Sequence, residues 1–265
     1  MADIERNYWN TAVDLDDFSL RHETWRAYCD ELGAAWIDAW LEGTAAKRIL
    51  KTDLFDEAVG SGFLPLLRAH SSQLVGIDVA QETVCRAQRR QADLLALRCD
   101  VRTLPFASAT FDTIVAPSTL DHFHDARDIA RSIAELSRVL RPGGRLIVSF
   151  DNLANPLVWL RNILPFALLH RIGLVPYFVG ATLDRAQLVA ALHAAGFEVT
   201  ETRAIMHCPR APAVAILSLL DKLGASRMAK GVKKACLLCE RLEHLRSAYR
   251  TGNYVASLEI KGPDA

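Results

Sequence analysis

A glycine-containing segment between two apolar runs constrains the fold of this chain most. The apolar residues Ile49-Leu50 and Leu54-Phe55 precede the segment Asp56-Glu57-Ala58-Val59-Gly60-Ser61-Gly62, and a second apolar run, residues 74–77, ends at Asp78. This order predicts a strand, a tight turn that opens a helix, and a second strand with an acid at its carboxyl end. Glycines suit such a turn because they accept positive φ and let the backbone approach a ligand closely. The pattern is typical of a nucleoside site on a doubly wound α/β sheet.

The charges around the turn indicate the kind of nucleoside. A dinucleotide would place its pyrophosphate over the turn, where Asp56 and Glu57 would repel it. Asp78, at the end of the second strand, is placed to accept hydrogen bonds from two ribose hydroxyls. The acids therefore favour a cationic nucleoside over a nicotinamide dinucleotide.

Short apolar runs alternate with helical patterns along the following residues. Strands are predicted at 74–78, 94–100, 111–116 and 145–150, with helices at 80–93 and 128–140. This alternation predicts a mostly parallel sheet with right-handed crossovers and with ligands at the carboxyl ends of its strands.

Composition narrows the class of protein. The formal net charge is zero and the basic residues are scattered, which argues against a nucleic-acid partner. Six cysteines lack the spacing of a disulfide framework and the first residues lack a signal-peptide pattern, so we expect a cytoplasmic protein. Cys236 and Cys239 have no second pair, so no metal site is expected.

Several ordered motifs together resemble those of the class I S-adenosylmethionine-dependent methyltransferases. The likeness covers roughly residues 45 to 205. The motifs are Asp56 to Gly62, Asp78, Asp100-Val101 with Leu104-Pro105-Phe106, Phe111-Asp112, Leu140 to Gly144 and Ala195-Gly196-Phe197. The resemblance implies a Rossmann-like, seven-stranded sheet whose last two strands, 197–205 and 253–261, form a reversed hairpin. The chain departs from the family at Ala58, where the first glycine of the acid-x-Gly-x-Gly-x-Gly run stands.

The resemblance implies S-adenosylmethionine as cofactor and assigns residues to it. The methionine end is expected near the turn and at backbone carbonyls after the fourth strand, the ribose at the acid after the second strand, and the adenine after the third. The implied residues are Asp56, Ala58, Gly60, Gly62, Asp78, Val79, Asp100, Val101, Ala116 and Pro117.

Three residues are candidates for handling the methyl acceptor. Methyl transfer is an in-line displacement, so it needs alignment, and it needs a general base only if the nucleophile starts protonated. His122 follows the fourth strand and has a side chain suited to deprotonating a hydroxyl. Asp151 and Asn152, after the fifth strand, are candidates for orienting the acceptor. A histidine at this place does not by itself establish a base.

The chain is expected to form one domain over residues 1–265. A helical, tryptophan-rich cap is predicted at 1–45, the cofactor-binding core at 46–152, a substrate-lid insertion at 153–182, and a C-terminal part with the last two strands at 183–265. The tryptophan-bearing helix face suits packing on the sheet, and a helix that packs there can also cover the pocket. The insertion is densely apolar and broken by prolines, which suits a pocket lid, core packing or peripheral contact with a membrane.

Two functions remain open at this point. The first is an S-adenosylmethionine-dependent methyltransferase that acts, at oxygen, on a small or medium-sized, partly apolar metabolite of lipid, glycan-linked or natural-product type. The second is a catalytically silent relative that serves as an interaction or regulatory module, since fold alone does not prove chemistry. The acceptor and the oligomeric state do not follow from the sequence.

Overall fold

Seven strands form one mixed sheet in the order β3-β2-β1-β4-β5-β7-β6 in the computed structural model, which describes residues 8–10, 22–43, 46–171, 175, 178 and 180–263. The strands are β1 Ala46–Lys51, β2 Ser71–Asp78, β3 Leu95–Arg98, β4 Phe111–Pro117, β5 Leu140–Asp151, β6 Phe197–Ile205 and β7 Tyr254–Lys261. Strands β1 to β5 pair in parallel, whereas β7 runs antiparallel to both β5 and β6. The predicted doubly wound sheet with a reversed last hairpin is confirmed.

Helices connect the strands and cover both faces of the sheet. They are α1 Glu23–Leu41, α2 Phe55–Val59, α3 Leu64–His70, α4 Gln81–Arg90, α5 Ala126–Val139, α6 Pro156–Ile163, α7 Phe166–Arg171, α8 Arg185–Ala194, α9 Arg210–Lys222, α10 Ser226–Cys239 and α11 Ala248–Thr251, with a 3-10 turn at Glu240–His244. On one face, Ile129 and Ile133 of α5 pack against Ile114. On the other, Ile37 of α1 packs against Val115. Burial on both faces explains the continuous apolar runs of the central strands.

No helix within these described ranges is both long enough and apolar enough to cross a membrane.

The apolar face of α1 is part of the core. Trp36 and Trp40 pack with Ile49 and Ile147 on the sheet, whereas Trp25 packs with Leu217 of α9. Residues 1–7 and 11–21 of the predicted cap lie outside the described residues. The three tryptophans of α1 are each at least nine-tenths buried, as the helical spacing of the stripe indicates.

Strand β1 ends earlier than the sequence predicted. It stops at Lys51, and Phe55 already begins α2, so Leu54-Phe55 are not strand residues. Two acids hold the intervening turn: Asp78 Oδ2 accepts a hydrogen bond from Leu54 N at 3.1 Å, and Asp53 Oδ1 accepts one from Phe55 N at 2.7 Å. No residue from 52 to 56 has a positive φ. Side chains therefore shape this turn, and it needs no glycine.

Gly62 serves packing rather than the first turn. Its φ is +54°, and a side chain there would overlap the carboxylate of Glu57. Glu57 is fully buried, accepts a hydrogen bond from Phe63 N at 2.9 Å, and forms an ion pair with Lys51 at 2.7 Å. The glycine thus makes room for a buried carboxylate.

The Lys51–Glu57 pair lies between β1 and α2, and neither side chain is exposed. Burial alone would lower the pKa of Lys51, but the carboxylates of Glu57 and Asp53 outweigh it and raise that pKa. Lys51 also donates to the carbonyl of Asp53. The charged ammonium therefore joins the end of β1, the turn and α2.

Replacing Glu57 with Gln should lower the free energy of unfolding by about 3–5 kcal/mol, because it leaves a buried ammonium without its counter-charge. Chemical denaturation measures this loss. Adding Lys51→Met to Glu57→Gln should restore part of the stability. The exposed Glu82–Arg86 pair, 3.1 Å apart, is the control, since Glu82→Gln should cost less than about 0.5 kcal/mol. An equal loss of stability in Glu57→Gln and in Glu82→Gln would contradict the role given to the buried pair.

Candidate active site

A cavity of about 290 Å³ lies at the carboxyl ends of the strands. Its sheet-side wall comes from residues at or just after the ends of β1, β2, β3 and β4, and its cover comes from α1. The strand-end residues in the wall are Thr52, Asp53, Asp78, Val79, Asp100, Val101, Pro117, Ser118 and Thr119. This is the edge at which the parallel sheet was predicted to bind its ligand.

Four carboxylates face this cavity: Asp53, Asp56, Asp78 and Asp100. Burial raises the pKa of Asp56 to about 7, and the nearby carboxylates of Glu57 and Asp53 add to the shift. Burial also raises the pKa of Asp78 to about 7, with Asp53 as the next cause. Raised pKa values mean that the negative charges are insufficiently compensated in the protein itself. A cationic ligand would supply the missing counter-charge.

The carboxylate of Asp78 is held rigidly. Its Oδ1 accepts a hydrogen bond from Ala80 N at 2.8 Å, and its Oδ2 accepts the one from Leu54 N. Each oxygen retains a further lone pair. The side chain therefore joins the first turn to the residue before α4 and still lines the cavity as an acceptor.

Asp100 is fixed by a neighbouring cation. Arg102 binds it through Nη2 at 2.6 Å and through Nε at 2.9 Å, and Arg102 Nη1 reaches Asp128 at 2.8 Å. Val101, between the two, is buried and lines the cavity. The charge of Asp100 is thus largely neutralised, which leaves it suited to accepting a hydrogen bond from a neutral group such as an amine on an aromatic ring.

Some predicted binding residues do not line the cavity. Ala58 and Ala116 are fully buried in the hydrophobic core, and Gly60 and Gly62 lie beyond α2. The physical reason is the early end of β1, which moves the ligand-facing turn to residues 52–56. In contrast, Asp56, Asp78, Val79, Asp100, Val101 and Pro117 all line the cavity.

The sequence reasoning missed three residues of the turn. Thr52, Asp53 and Phe55 line the cavity, but none of the three was among the predicted binding residues. The polar triplet Lys51-Thr52-Asp53, which interrupts the apolar run, was the available signal for the strand end.

Two strand ends at the cavity have an unusual backbone. Ser118, after β4, has φ +45°, and Met206, after β6, has φ +59°. Both line the cavity. Ser118 N donates to the carbonyl and to the hydroxyl of Ser149 at 3.1 and 3.0 Å, so strand β5 holds this conformation in place. Positive φ in a non-glycine residue costs on the order of 1–3 kcal/mol and is concentrated at functional sites.

His122 lines the cavity next to a buried acid. Its Nε2 lies 3.7 Å from Oδ1 of Asp121, and the ring of Trp9 meets its ring edge-on with centroids 5.1 Å apart. Asp121 is 1% exposed, and its Oδ2 accepts a hydrogen bond from Asp151 N at 3.0 Å. Burial raises the pKa of Asp121 to about 6, although His122 opposes the shift. The sequence reasoning assigned no role to Asp121.

Asp151 and Asn152 have structural rather than acceptor-facing positions. Asp151 forms a buried ion pair with Arg161. Asn152 Nδ2 donates to the carbonyls of Tyr249 and Gly252 at 2.7 and 2.9 Å. Neither residue is part of the cavity wall. The physical reason is that β5 continues to Asp151 and turns these side chains toward α6 and the segment before β7.

Distant segments complete the wall opposite the sheet. Arg26 and Trp36 come from α1, Arg210 from the start of α9, and Tyr254 from the start of β7. Arg210 Nη1 donates to the hydroxyl of Tyr254 at 2.6 Å. This wall combines aromatic surface with two cations. No local sequence pattern marks it, because its members lie more than 200 positions apart at the extremes.

Replacing Asp56 with Asn should flatten the pH dependence of stability. With a pKa of about 7, folded Asp56 keeps its proton up to near-neutral pH, whereas the unfolded chain releases it near pH 4. Stability therefore falls as pH rises between these values. We expect Asp56→Asn to reduce that fall by about 1 kcal/mol or more, measured by urea denaturation at pH 5 and pH 8.

The exposed Asp125 is a suitable control for this measurement. Its pKa is lowered by hydrogen bonds from Arg127, so Asp125 stays ionised in the folded and the unfolded protein between pH 5 and pH 8, and Asp125→Asn should leave the fall in stability over this range unchanged. Asn also retains the helix-capping function. An Asp56→Asn protein that loses stability with pH as steeply as the wild type would contradict the assignment.

Sequence comparison identifies a known domain in the centre of the chain. Residues 55–148 match a family model described as a methyltransferase domain. The chain is 36% identical over 138 residues to the ubiquinone/menaquinone biosynthesis C-methyltransferase UbiE of Dinoroseobacter shibae, an alignment that covers 47% of this chain and 52% of that protein. It is 27% identical over 225 residues to the malonyl-[acyl-carrier protein] O-methyltransferase of Enterobacter lignolyticus, with 83% of this chain and 82% of that protein covered.

These alignments differ in extent. The chain spans about half the length of several curated relatives that it matches, among them UbiE at 52% and a Thermus thermophilus demethylmenaquinone methyltransferase at 50%. The family match starts at residue 55, after β1 and most of the turn that lacks glycines.

Solved structures share the fold. A Methanosarcina mazei protein described as an S-adenosylmethionine-dependent methyltransferase superposes with a TM-score of 0.56 at 18% identity, covering 86% of this chain and 97% of that one. The [4+2]-cyclase SpnF superposes with a TM-score of 0.55 at 18% identity, covering 93% and 94%. The domain match and the relatives together show that residues 55–148 contain a methyltransferase domain, and the order of the sheet and the solved structures show that the chain has the fold of S-adenosylmethionine-dependent methyltransferases.

Proposed function

We propose that the protein binds S-adenosylmethionine in the 290 Å³ cavity and transfers its methyl group to a small or medium-sized, partly apolar acceptor. The observation that carries this proposal is the set of four carboxylates, Asp53, Asp56, Asp78 and Asp100, that line the cavity near the strand ends, since a dinucleotide phosphate would be repelled there. The cofactor supplies an electrophilic methyl group on a positively charged sulfur.

The donor set fits each part of this cofactor. Asp78 presents two fixed oxygens, which suit a ribose diol. Asp100 and the backbone of Val101 suit the edge of an adenine, because a neutralised carboxylate accepts from an amino group and an amide donates to a ring nitrogen.

The methionine end would meet charges of both signs. Asp53 and Asp56 stand beside the first turn and suit the ammonium, and they also offset the charge on the sulfur. Arg26 and Arg210 line the opposite wall and suit the carboxylate. In this arrangement side chains take the role that backbone groups of a glycine turn would otherwise fill.

We propose oxygen as the methylated atom, with His122 as the base. An acceptor hydroxyl must lose its proton, and His122 is the histidine in the described cavity wall. Asp121 lies behind His122 and would stabilise the imidazolium that forms. The relatives are named for O- and for C-methylation, so the acceptor atom is tested separately from cofactor binding.

Calorimetric titration with S-adenosylmethionine tests the cofactor. We expect saturable binding that weakens about 100-fold in Asp78→Ala, since each hydrogen bond to a charged group contributes about 1.5–3 kcal/mol. Asp93→Ala, an exposed acid outside the cavity, is the matched control. Because Asp78 also holds the turn, thermal unfolding should confirm that the variant is folded, with Asp78→Asn as the milder change. A folded wild-type protein without detectable binding would refute the proposal.

The affinity for S-adenosylmethionine should increase with pH. Asp56 and Asp78 both have a pKa of about 7. Asp56 must lose its proton to face the ammonium, and Asp78 must lose its proton to accept hydrogen bonds from both ribose hydroxyls, so binding releases protons below neutrality. Between pH 6 and pH 8 we expect the Kd to fall by about tenfold or more. Titrations in buffers of different ionisation enthalpy would reveal the released protons, and an affinity independent of pH would contradict the assignment.

His122→Gln tests the base. With a radiolabelled methyl donor and a cell extract as the source of acceptor, the variant should form labelled product about 100-fold or more slowly while binding S-adenosylmethionine normally. His193→Gln, on the exposed side of α8, should behave as wild type. Unchanged product formation in His122→Gln would show that His122 is not the base and would favour an acceptor that needs no deprotonation.

The second candidate function is a catalytically silent interaction or regulatory module. It is favoured by the replacement of the glycine turn with residues 52–56, and by the structural similarity to a protein described as a cyclase, which shows that this fold carries other chemistry. Cofactor binding without labelled product across many extracts would support the module, whereas product that disappears in Asp78→Ala would support the enzyme.

A further inference from the structure

Helices α6 and α7 and the turn between them carry a cluster of exposed apolar side chains. Six large apolar residues within twelve positions are exposed, with exposed fractions from 37% for Leu164 to 67% for Leu157. The six are Leu157, Trp159, Leu160, Ile163, Leu164 and Leu168, and we call them the α6–α7 patch. Contiguous apolar surface of this kind is uncommon in monomeric proteins and marks an interaction site.

The polarity of α6 is the reverse of that in an ordinary surface helix. Arg161 turns inward and pairs with the buried Asp151, beside Val158, which is the buried residue of this helix. Its leucines and isoleucine turn outward instead. A surface helix normally buries its apolar side. This reversal indicates that the outer face of α6 meets an apolar phase.

The charges near the patch favour a lipid surface over a second protein. Residues 152–183 contain neither Asp nor Glu. The exposed His170 and Arg171 end α7, next to the patch. Trp159 is half exposed among the leucines. A helix surface that combines leucine, tryptophan and basic residues without acids is complementary to an anionic membrane interface.

A second cavity lies on the inner side of these helices. It has a volume of about 400 Å³, and its wall includes Leu164, Phe166 and Leu169 on one side and His124 and Phe178 on the other. His124 stacks on Phe178 with ring centroids 4.1 Å apart. The neighbouring residues His122 and Phe123 line the first cavity. The segment 122–124 therefore borders both spaces.

We propose that the α6–α7 patch binds the surface of an anionic lipid bilayer, and that the second cavity receives the apolar part of an acceptor taken from that bilayer. The membrane contact stands on the exposed patch and its charge. The role of the second cavity rests on the methyl transfer proposed above, because it deepens that proposal by making the acceptor a membrane-borne molecule with an apolar chain.

Vesicle co-sedimentation tests the membrane contact directly. The wild-type protein should bind vesicles that contain phosphatidylglycerol more strongly than vesicles of phosphatidylcholine alone. The triple variant Leu157→Gln, Leu160→Gln, Ile163→Gln should bind the former about tenfold or more weakly, because it removes apolar area from the contact. Gln preserves helix propensity, and all three side chains are exposed, so the variant should fold; circular dichroism checks this.

A matched variant separates this patch from general surface hydrophobicity. Ile216, Leu219 and Leu223, on or just after α9, are exposed to 47%, 57% and 70%, and the same three changes to Gln there should leave vesicle binding within about twofold. Equal losses in both variants, or no binding by the wild type, would overturn the proposal. A dimer that the α6 variant converts to monomer, without vesicle binding, would also overturn it and assign the patch to a second copy of the chain.

The outcome is independent of the cofactor test. The α6 variant should bind S-adenosylmethionine as the wild type does, because none of its changed residues lines the first cavity. A protein that binds vesicles but not S-adenosylmethionine would refute the proposed function and leave the membrane contact standing. A protein that binds S-adenosylmethionine but not vesicles would refute the membrane contact and leave the proposed function standing.

Discussion

The buried ion pair between Lys51 and Glu57 is the interaction on which the site depends. A lysine at the end of the first strand would ordinarily be costly inside the protein, and Glu57 compensates it from the next helix at 2.7 Å. The pair draws α2 against β1, and Gly62 leaves the space for it. With the strand ended at Lys51, the ligand-facing turn consists of side chains that Asp53 and Asp78 hold by hydrogen bonds. The glycine turn that the resemblance implied is therefore replaced by a polar framework, in which Asp53 and Asp78 hold residues 52–56.

This framework has an electrostatic consequence. Asp56 and Asp78 are placed where burial raises the pKa of each to about 7. Their ionisation therefore lowers the folding stability of the ligand-free protein, and a cation bound in the cavity would offset this loss. The strained backbone at Ser118 and Met206 lies at the same cavity. Stability sacrificed at a site and recovered on binding is a common feature of functional surfaces. The exposed α6–α7 patch also lowers the stability of the free protein, because its leucines are removed from water only when an apolar surface covers them.

The repeating alternation of strands and helices was predictable, since each central strand is buried on both faces and each helix has one apolar side. The position of Asp78 and Asp100 at the cavity follows for the same reason, since both are acids at the ends of such strands. The end of β1 was not predictable from apolar pattern, because a short apolar run suits a strand or a helix equally. Only the contacts of Lys51 and Glu57 decide that Leu54-Phe55 leave the strand. The contacts of Asp151 and Asn152 were not predictable, because strand-end position alone does not say which way a side chain turns.

The sequence by itself determined the sheet, the order of its motifs and the presence of a methyltransferase domain, because these depend on local periodicity and on residues within one strand-helix unit. The tertiary structure alone decided which side chains share the cavity, since Arg26, Arg210 and Tyr254 are brought together from segments distant in the chain. It also decided that α6 turns its leucines outward, because the inward side is set by the pairing of Arg161 with Asp151. An apolar run reveals that surface must be buried, whereas the partner that buries it is a property of the assembled fold.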